Sequence, residues 1–154
     1  MDFFEANTIL NQAEVLDVET MELLVRVEAT GEDFYLLLAD RIGNDEAAEL
    51  LRRNGREEMG HARRMQRAIA IKTGVELDPD QVVERFEVNG LPDEIDPALF
   101  PAIAAGEMQG DAGYQKWADA EPDAEVQRLL RLNGREETKH AERLQQVMEI
   151  LGVG

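Results

Sequence analysis

Apolar residues, interrupted by a few polar ones, recur every three or four positions in four segments of the chain: residues 21–42, 47–68, 103–117 and 126–151. This spacing places them on one face of an α-helix. A continuous face of that kind is typically buried between neighbouring helices. The pattern therefore predicts an all-α fold with four packed helices.

Residues that cap or break helices separate these segments. They are Asp17, Gly43-Asn44, Gly74, Pro97 and Glu121-Pro122-Asp123. Asp and Asn accept hydrogen bonds at helix starts, glycine commonly ends helices, and proline is tolerated in the first turn. The connections at 43–45 and 120–123 are short, which predicts two antiparallel helical hairpins.

The segment between the hairpins, residues 75–96, is much longer than an ordinary loop and contains Pro79, Gly90 and Pro92. We interpret it as a crossover that runs the length of the bundle, with a short helix over 80–87. Residues 3–16 are predicted to form a further short helix that packs outside the bundle.

The two hairpins are copies of one unit. Residues 28–66 align without a gap on residues 107–145, at an offset of 79, and 18 of the 39 positions are identical. Two copies are too few for a solenoid but suit a pseudo-twofold bundle. We therefore expect residues 1–154 to form a single domain, an antiparallel four-helix bundle made of hairpin repeats at about 18–74 and 97–152.

Composition and charge exclude several classes of protein. The formal charge of −17 argues against nucleic acid or an anionic membrane surface as the main partner. With no cysteine, the chain has no disulfide, thiolate metal site or cysteine nucleophile. No apolar run approaches the roughly 20 residues of a membrane span, and the first residues do not read as an export signal. We expect a cytoplasmic protein.

Four glutamates and both histidines of the chain occupy the helical faces predicted to be buried: Glu28, Glu58, His61, Glu107, Glu137 and His140. Four buried carboxylates need compensating charge, which two divalent cations supply. The i, i+3 spacing within each Glu-x-x-His pair points both side chains to one place. Carboxylates with one imidazole per metal suit Fe or Mn, and Zn as a substitute. The alternative is a degenerate bundle whose carboxylates reach solvent.

A glutamate on each of two helices and a Glu-x-x-His on each of the other two resembles the ferritin-like di-iron carboxylate superfamily. Within that superfamily, Glu28-Ala-Thr-Gly-x-x-x-Tyr35 is similar to the rubrerythrin pattern Glu-x-x-Ala-x-x-x-Tyr. The resemblance covers residues 18–151. It implies a ferritin-like bundle that holds two iron ions as its cofactor.

The resemblance also implies a role for each ligand. Glu28, Glu58 and His61 would hold one iron. Glu107, Glu137 and His140 would hold the other. The glutamates of the two Glu-x-x-His pairs would bridge the metals, and the remaining two glutamates would be terminal ligands.

Several neighbours of the ligands have two interpretations. The resemblance implies that Tyr35 and Tyr114 bond to carboxylates through their hydroxyl groups, and ordinary core aromatics are the alternative. Gly31 and Gly110 face inward three residues after a ligand, where they either leave space for O₂, peroxide or a substrate or allow close helix packing.

Two further acidic pairs lie near the ligands in sequence: Glu57 with Glu136, and Glu32 with Asp111. Glu57 and Glu136 can accept an N–H from a histidine. For both pairs, however, the preferred interpretation is a solvated helix face.

The chain departs from the rubrerythrin pattern in two ways. It lacks the cysteines of a rubredoxin domain, and Gly110 stands where rubrerythrins have an extra glutamate. Electrons would therefore come from another protein. The fourth helix ends near Leu151, so the fifth helix of a storage ferritin is not expected.

These residues predict a di-iron oxidoreductase that reacts with O₂ or H₂O₂ and uses an external electron-donor protein. We also expect a homo-oligomer, a dimer or larger. One alternative is ferritin-like iron handling or storage with ferroxidase activity. Another is a metal-binding bundle without catalysis.

Overall fold

Cap residues set the order and the bounds of the helices in the computed structural model, which describes residues 1–153. This part of the chain contains five α-helices and a short 3₁₀ turn at Pro97–Leu99. The helices are α1 (Phe3–Gln12), α2 (Val18–Arg41), α3 (Asp45–Thr73), α4 (Phe100–Ala120) and α5 (Ala124–Ile150). The all-α fold predicted from the sequence is confirmed.

The predicted caps lie at the ends of the helices. A side-chain oxygen of Asp17 accepts from the Thr20 N–H at 2.8 Å, and Asn44 and Asp123 cap α3 and α5 in the same way. Gly74 ends α3 with a φ of 72°, in the left-handed region that glycine adopts without strain. The helix after Pro97 starts as a 3₁₀ turn and becomes α-helical at Phe100.

Two hairpins, α2–α3 and α4–α5, pack against each other through α3 and α5, whereas the backbones of α2 and α4 lie further apart. Two apolar clusters fill the interior. One contains Met21, Leu24 and Leu130, and the other contains Leu38 and Phe100. On α3, α4 and α5 the predicted ligands lie between residues of the two clusters, and on α2 Glu28 lies at the edge of the first cluster, so a polar layer crosses the middle of the bundle.

The crossover differs from the prediction, because residues 81–89 have no helical structure. The segment is held to the surface of α2 instead. The backbone N–H of Phe86 donates to Thr30 Oγ1 at 3.0 Å, and the Arg26 guanidinium lies 4.0 Å from the centre of the Phe86 ring. These non-local contacts replace the hydrogen bonds that a short isolated helix would have to supply alone.

The first helix packs outside the bundle as expected but ends at Gln12, before the predicted residue 16. The N–H of Phe3 donates to the Glu87 carbonyl at 3.0 Å, which ties α1 to the crossover. None of the helices within residues 1–153 has the length and apolar character needed to cross a membrane.

Candidate metal centre

Six buried side chains meet in the polar layer of the bundle. α2 and α4 each supply a glutamate, and α3 and α5 each supply a glutamate and a histidine. They are Glu28, Glu58, His61, Glu107, Glu137 and His140, and each is 8% exposed or less. The structure therefore brings together all the side chains that the sequence analysis selects as ligands.

These side chains form two overlapping groups of four, within each of which the donor atoms lie no more than 4.8 Å apart. One group contains Glu28 and His61, and the other contains Glu107 and His140. Glu58 and Glu137 belong to both groups. A carboxylate common to both groups is placed to bridge two ions, one in each group.

The geometry of the two histidines follows from the repeat. Each lies one turn after a glutamate on its own helix, and the two imidazole rings stack with their centres 5.2 Å apart. His61 Nδ1 lies 2.8 Å from Glu137 Oε1, and His140 Nδ1 lies 2.8 Å from Glu58 Oε1. Each histidine thus faces a carboxylate from the other hairpin.

Unpaired donor atoms show that this cluster fits metal ions. Glu107 Oε2, Glu137 Oε1 and His140 Nδ1 are buried and lack a hydrogen bond of normal geometry, although the last two each lie 2.8 Å from an atom across the cluster. A buried polar atom without a partner is expensive in free energy, and nearly all such atoms in folded proteins are paired. Converging carboxylate oxygens and imidazole nitrogens, some of them without a well-aligned hydrogen bond, are the donor set of a carboxylate-rich metal site.

The pKa values of Glu58, Glu107 and Glu137 are strongly shifted when no metal balances the charge of the cluster. Burial, together with the negative charge of neighbouring glutamates, raises the pKa values of Glu58 and Glu137 well above their ordinary value. Burial would also raise the pKa of Glu107, but contacts with Glu137 and His140 lower it to about 2.

The histidines supply the compensating charge in that state. Burial favours the neutral ring, but hydrogen bonds to Glu136 and Glu28 raise the pKa of His61 to about 10. Contacts with Glu107, Glu57 and Glu58 likewise outweigh burial and raise the pKa of His140 to about 12. Metal ions in the cluster would therefore compete with protons for the same atoms.

A second set of contacts orients the histidines from outside. His61 Nε2 lies 3.1 Å from Glu136 Oε1, and His140 Nε2 lies 3.3 Å from Glu57 Oε1. With Nε2–H donated to a carboxylate, Nδ1 keeps its lone pair for a metal. The expectation of a solvated face for Glu57 and Glu136 is therefore wrong, because each accepts from the histidine of the opposite hairpin.

Arginine and asparagine residues that the sequence analysis missed complete these contacts. Arg64 donates to Glu136 at 2.7 Å, and Arg143 donates to Glu57 at 2.8 Å. Asn54 and Asn133 donate to the backbone carbonyls of His140 and His61, respectively. The repeat was the sequence signal that could have found them, because Arg64 corresponds to Arg143 and Asn54 to Asn133 at the offset of 79.

Comparison with known proteins agrees with this geometry. The family model for rubrerythrin matches residues 19–148, which include all six side chains of the cluster. The chain belongs to the rubrerythrin family. No curated protein and no solved structure matches it. The chain is thus a member of a family of di-iron carboxylate proteins and has a Glu/His cluster that can bind metal.

The two tyrosines of the rubrerythrin-family chain have different partners. Tyr35 Oη donates to Glu107 Oε1 at 2.6 Å, across the bundle and away from the glutamate of its own helix. Tyr114 Oη instead accepts from Asn133 Nδ2 at 3.3 Å. Burial raises the pKa of both hydroxyls, so both keep their protons. Of the two tyrosines, Tyr35 is thus the one with a hydrogen bond to a candidate ligand.

Gly31 and Gly110 make room for the two shared carboxylates. A Cβ on Gly31 would lie 3.0 Å from Glu58 Oε2, and one on Gly110 would lie 3.1 Å from Glu137 Oε2. Glutamate thus occupies the space on one side of each glycine, as the close-packing interpretation expects. Both glycines also line a cavity that reaches the cluster, as the free-space interpretation expects.

Glu32 and Asp111 do not contact the histidines of the rubrerythrin-family cluster. Glu32 accepts from Arg85 at 3.1 Å, and Asp111 accepts from Gln115 and Thr138. Both are half-buried and bonded to other side chains, so the predicted solvated face describes them only in part.

Proposed function

We propose that the protein is a di-iron oxidoreductase that reacts with O₂ or H₂O₂ and receives its electrons from a separate donor protein. The observation that carries the proposal is the membership of Glu58 and Glu137 in both donor groups. Carboxylates that belong to both groups would hold both ions, and a two-electron reaction with one oxidant molecule requires two such ions together.

Each side chain of the cluster has a defined task in this proposal. Glu28 and His61 would hold one iron, Glu107 and His140 the other, and the two shared glutamates would hold both. When bound, the iron ions supply the electrons that reduce the oxidant. Tyr35 keeps its proton on Oη and occupies Glu107 Oε1, which leaves Oε2 as the free ligand atom.

The surroundings of the cluster suit chemistry in a largely dry site. Apolar residues lie on both sides of the polar layer. A cavity of about 740 Å³ lies between α1, α2 and α4 and reaches the glutamates. Its outer lining is mainly apolar, whereas a path built for Fe²⁺ as cargo would present charged oxygen ligands along its length. This supports an oxidant over iron as the molecule that enters.

Rapid mixing of the Fe²⁺-loaded protein with H₂O₂ or with O₂ tests the proposal. We expect the diferric absorbance to rise within one turnover and to fall again when a chemical reductant is added, over repeated cycles. Glu137→Ala should abolish the signal. Glu142→Ala should not, because Glu142 is an exposed glutamate on the same helix.

Two results would contradict the proposal. One is a ferrous protein that neither oxidant oxidises. The other is iron that accumulates well beyond about two ions per chain during oxidation, since that identifies iron as the substrate of a storage protein.

A further inference from the structure

The cavity between α1, α2 and α4 is larger than O₂ or H₂O₂ requires. Its volume of about 740 Å³ is that of a pocket for a small organic molecule. Phe3 and Leu10 of α1, Val27 and Phe34 of α2, and Ile103 and Trp117 of α4 lie in its wall. The cavity is thus an apolar cleft beside the metal cluster.

The two long walls of the cleft differ at positions that correspond in the repeat. Val27 and Phe34 on α2 correspond, at the offset of 79, to Gly106 and Gly113 on α4. A glycine inside a helix is unfavourable relative to alanine, so a reason is expected. A Cβ on either glycine would meet no atom within 4 Å, which excludes packing within the chain as that reason. Because they have no side chains, the two glycines instead leave the α4 side of the cleft open.

The inner end of the cleft is acidic. Four buried glutamates, each 8% exposed or less, line it: Glu28, Glu58, Glu107 and Glu137. Among the cleft residues that the structure describes, Lys116 is the one cation, and it lies 3.4 Å from Glu14. With a net charge of −17 on the chain, an anionic molecule is disfavoured.

We infer that this cleft binds an uncharged, apolar organic molecule, with one end against the glutamates of the metal cluster. A second copy of the chain fits the cleft less well, because a convex helix surface does not reach buried carboxylates at the bottom of a concave pocket. Binding itself requires no metal. Only the further role of the bound molecule, as a second substrate beside the oxidant, rests on the proposed function.

The single tryptophan of the chain, Trp117, lies in the wall of the cleft and serves as a built-in reporter. N-phenyl-1-naphthylamine, an uncharged apolar fluorophore, should bind to the metal-free and to the metal-loaded protein and accept energy from Trp117. 1-Dodecanol should displace it, whereas dodecanoate at the same free concentration, below its micelle range, should displace it poorly.

A matched pair of variants locates the binding site. Gly106→Leu fills the cleft and should weaken binding of the fluorophore by at least about tenfold without loss of metal. Gly60→Leu is the control, since Gly60 is also inside a helix, also precedes a candidate ligand and also has open space at its Cβ, but lies outside the cleft. It should bind the fluorophore as the wild type does.

Three results would overturn the inference: equal affinity of Gly106→Leu and the wild type, equal displacement by dodecanoate and 1-dodecanol, or a wild-type dimer that excludes the fluorophore and that Gly106→Leu converts to monomers. The last would assign the α4 face to a second copy. Because the fluorophore is titrated without oxidant, a protein that binds it but fails to react with H₂O₂ and O₂ contradicts the proposed function alone.

Discussion

The α2–α3 hairpin and the α4–α5 hairpin hold their ligands at positions that correspond one to one. The glutamate of the first helix, the Glu-x-x-His of the second and the asparagine and arginine around it all recur at the offset of 79. In both halves, the carboxylate that accepts from a histidine Nε2 comes from the opposite hairpin. The ligands and their immediate supports therefore obey the pseudo-twofold symmetry.

The surroundings of the two hairpins do not obey that symmetry. α2 is covered by α1 and by the crossover that Phe86 anchors. α4 carries Gly106 and Gly113 beside the open cleft and exposes Met108 at 51%. The duplication has thus preserved what holds metal, whereas access to the metal differs between the halves. Variants made in corresponding pairs separate these two properties.

The largest expected effect separates shared ligands from terminal ones. Glu58→Ala and Glu137→Ala should each reduce the metal content from about two ions per chain to nearly none, since each removes a donor from both groups. Glu28→Ala and Glu107→Ala should each leave about one ion. Elemental analysis of the purified variants measures this. If all four variants kept one ion, the shared carboxylates would not be bridges.

Removal of metal should have the next largest effect, a loss of folding stability whose size depends on pH. The raised pKa values of Glu58 and Glu137 mean that protonation stabilises the metal-free fold, and that this stability is lost as pH rises above the ordinary glutamate value. The stability from protonated His61 is complete below its ordinary pKa of 6.5 and is lost as pH rises through about 10.

Metal competes with these same protons, so its apparent affinity falls in acid. At pH 7 and a metal concentration of 100 Kd, the loaded protein should be more stable than the metal-free protein by about 2.7 kcal/mol. The difference in Tm should narrow from pH 8 to pH 5 in calorimetric scans. A difference that widened in acid would contradict the competition between metal and protons.

The third prediction concerns the contacts between the hairpins. Glu136→Ala and Glu57→Ala should each weaken metal binding by about 10- to 100-fold, because each removes the acceptor that orients a histidine. Glu136→Ala should lower the pKa of His61 rather than that of His140, and Glu57→Ala should do the reverse. NMR titration of the two imidazoles in the metal-free protein measures this, with Glu142→Ala as the control. If either variant lowered the pKa of the histidine on its own helix instead, the crossed pairing would be disproved.

The helices and the ligand cluster were predictable from the sequence because both depend on local chemistry. Asp17, Asn44 and Asp123 cap helices through side-chain bonds to backbone N–H groups only two or three residues away. The Glu-x-x-His pairs face one point because of helical geometry alone. The repeat then placed the two copies opposite each other.

Features that depend on contacts between distant segments were not predictable in this way. The partners of Glu57 and Glu136 lie on another helix, 83 and 75 residues away in the sequence. The extended structure around Phe86 depends on Thr30 and Arg26, which no pattern within residues 80–87 reveals. The carboxylates that pack against Gly31 and Gly110 come from α3 and α5, so the sequence around each glycine does not reveal them.

The smallest expected effect distinguishes the two tyrosines. Tyr35→Phe removes the donor to Glu107 Oε1 at 2.6 Å and leaves a buried carboxylate oxygen unpaired, which should destabilise the metal-free protein by about 1–3 kcal/mol. Tyr114→Phe removes only an acceptor for Asn133 at 3.3 Å, and Asn133 still donates to the His61 carbonyl. Its effect should be about 0.5–1 kcal/mol.

Urea unfolding of the two metal-free variants measures the difference. Phe fills nearly the same volume as Tyr, so packing contributes little and the hydroxyl hydrogen bonds dominate the comparison. Metal affinity gives a second measurement. Tyr35→Phe should lower the affinity for the ion held by Glu107 and His140, whereas Tyr114→Phe should leave the affinity for both ions unchanged. Equal destabilisation by the two variants would mean that the tyrosines obey the symmetry of the repeat, and that the difference between the hairpins lies only in what covers α2 and α4.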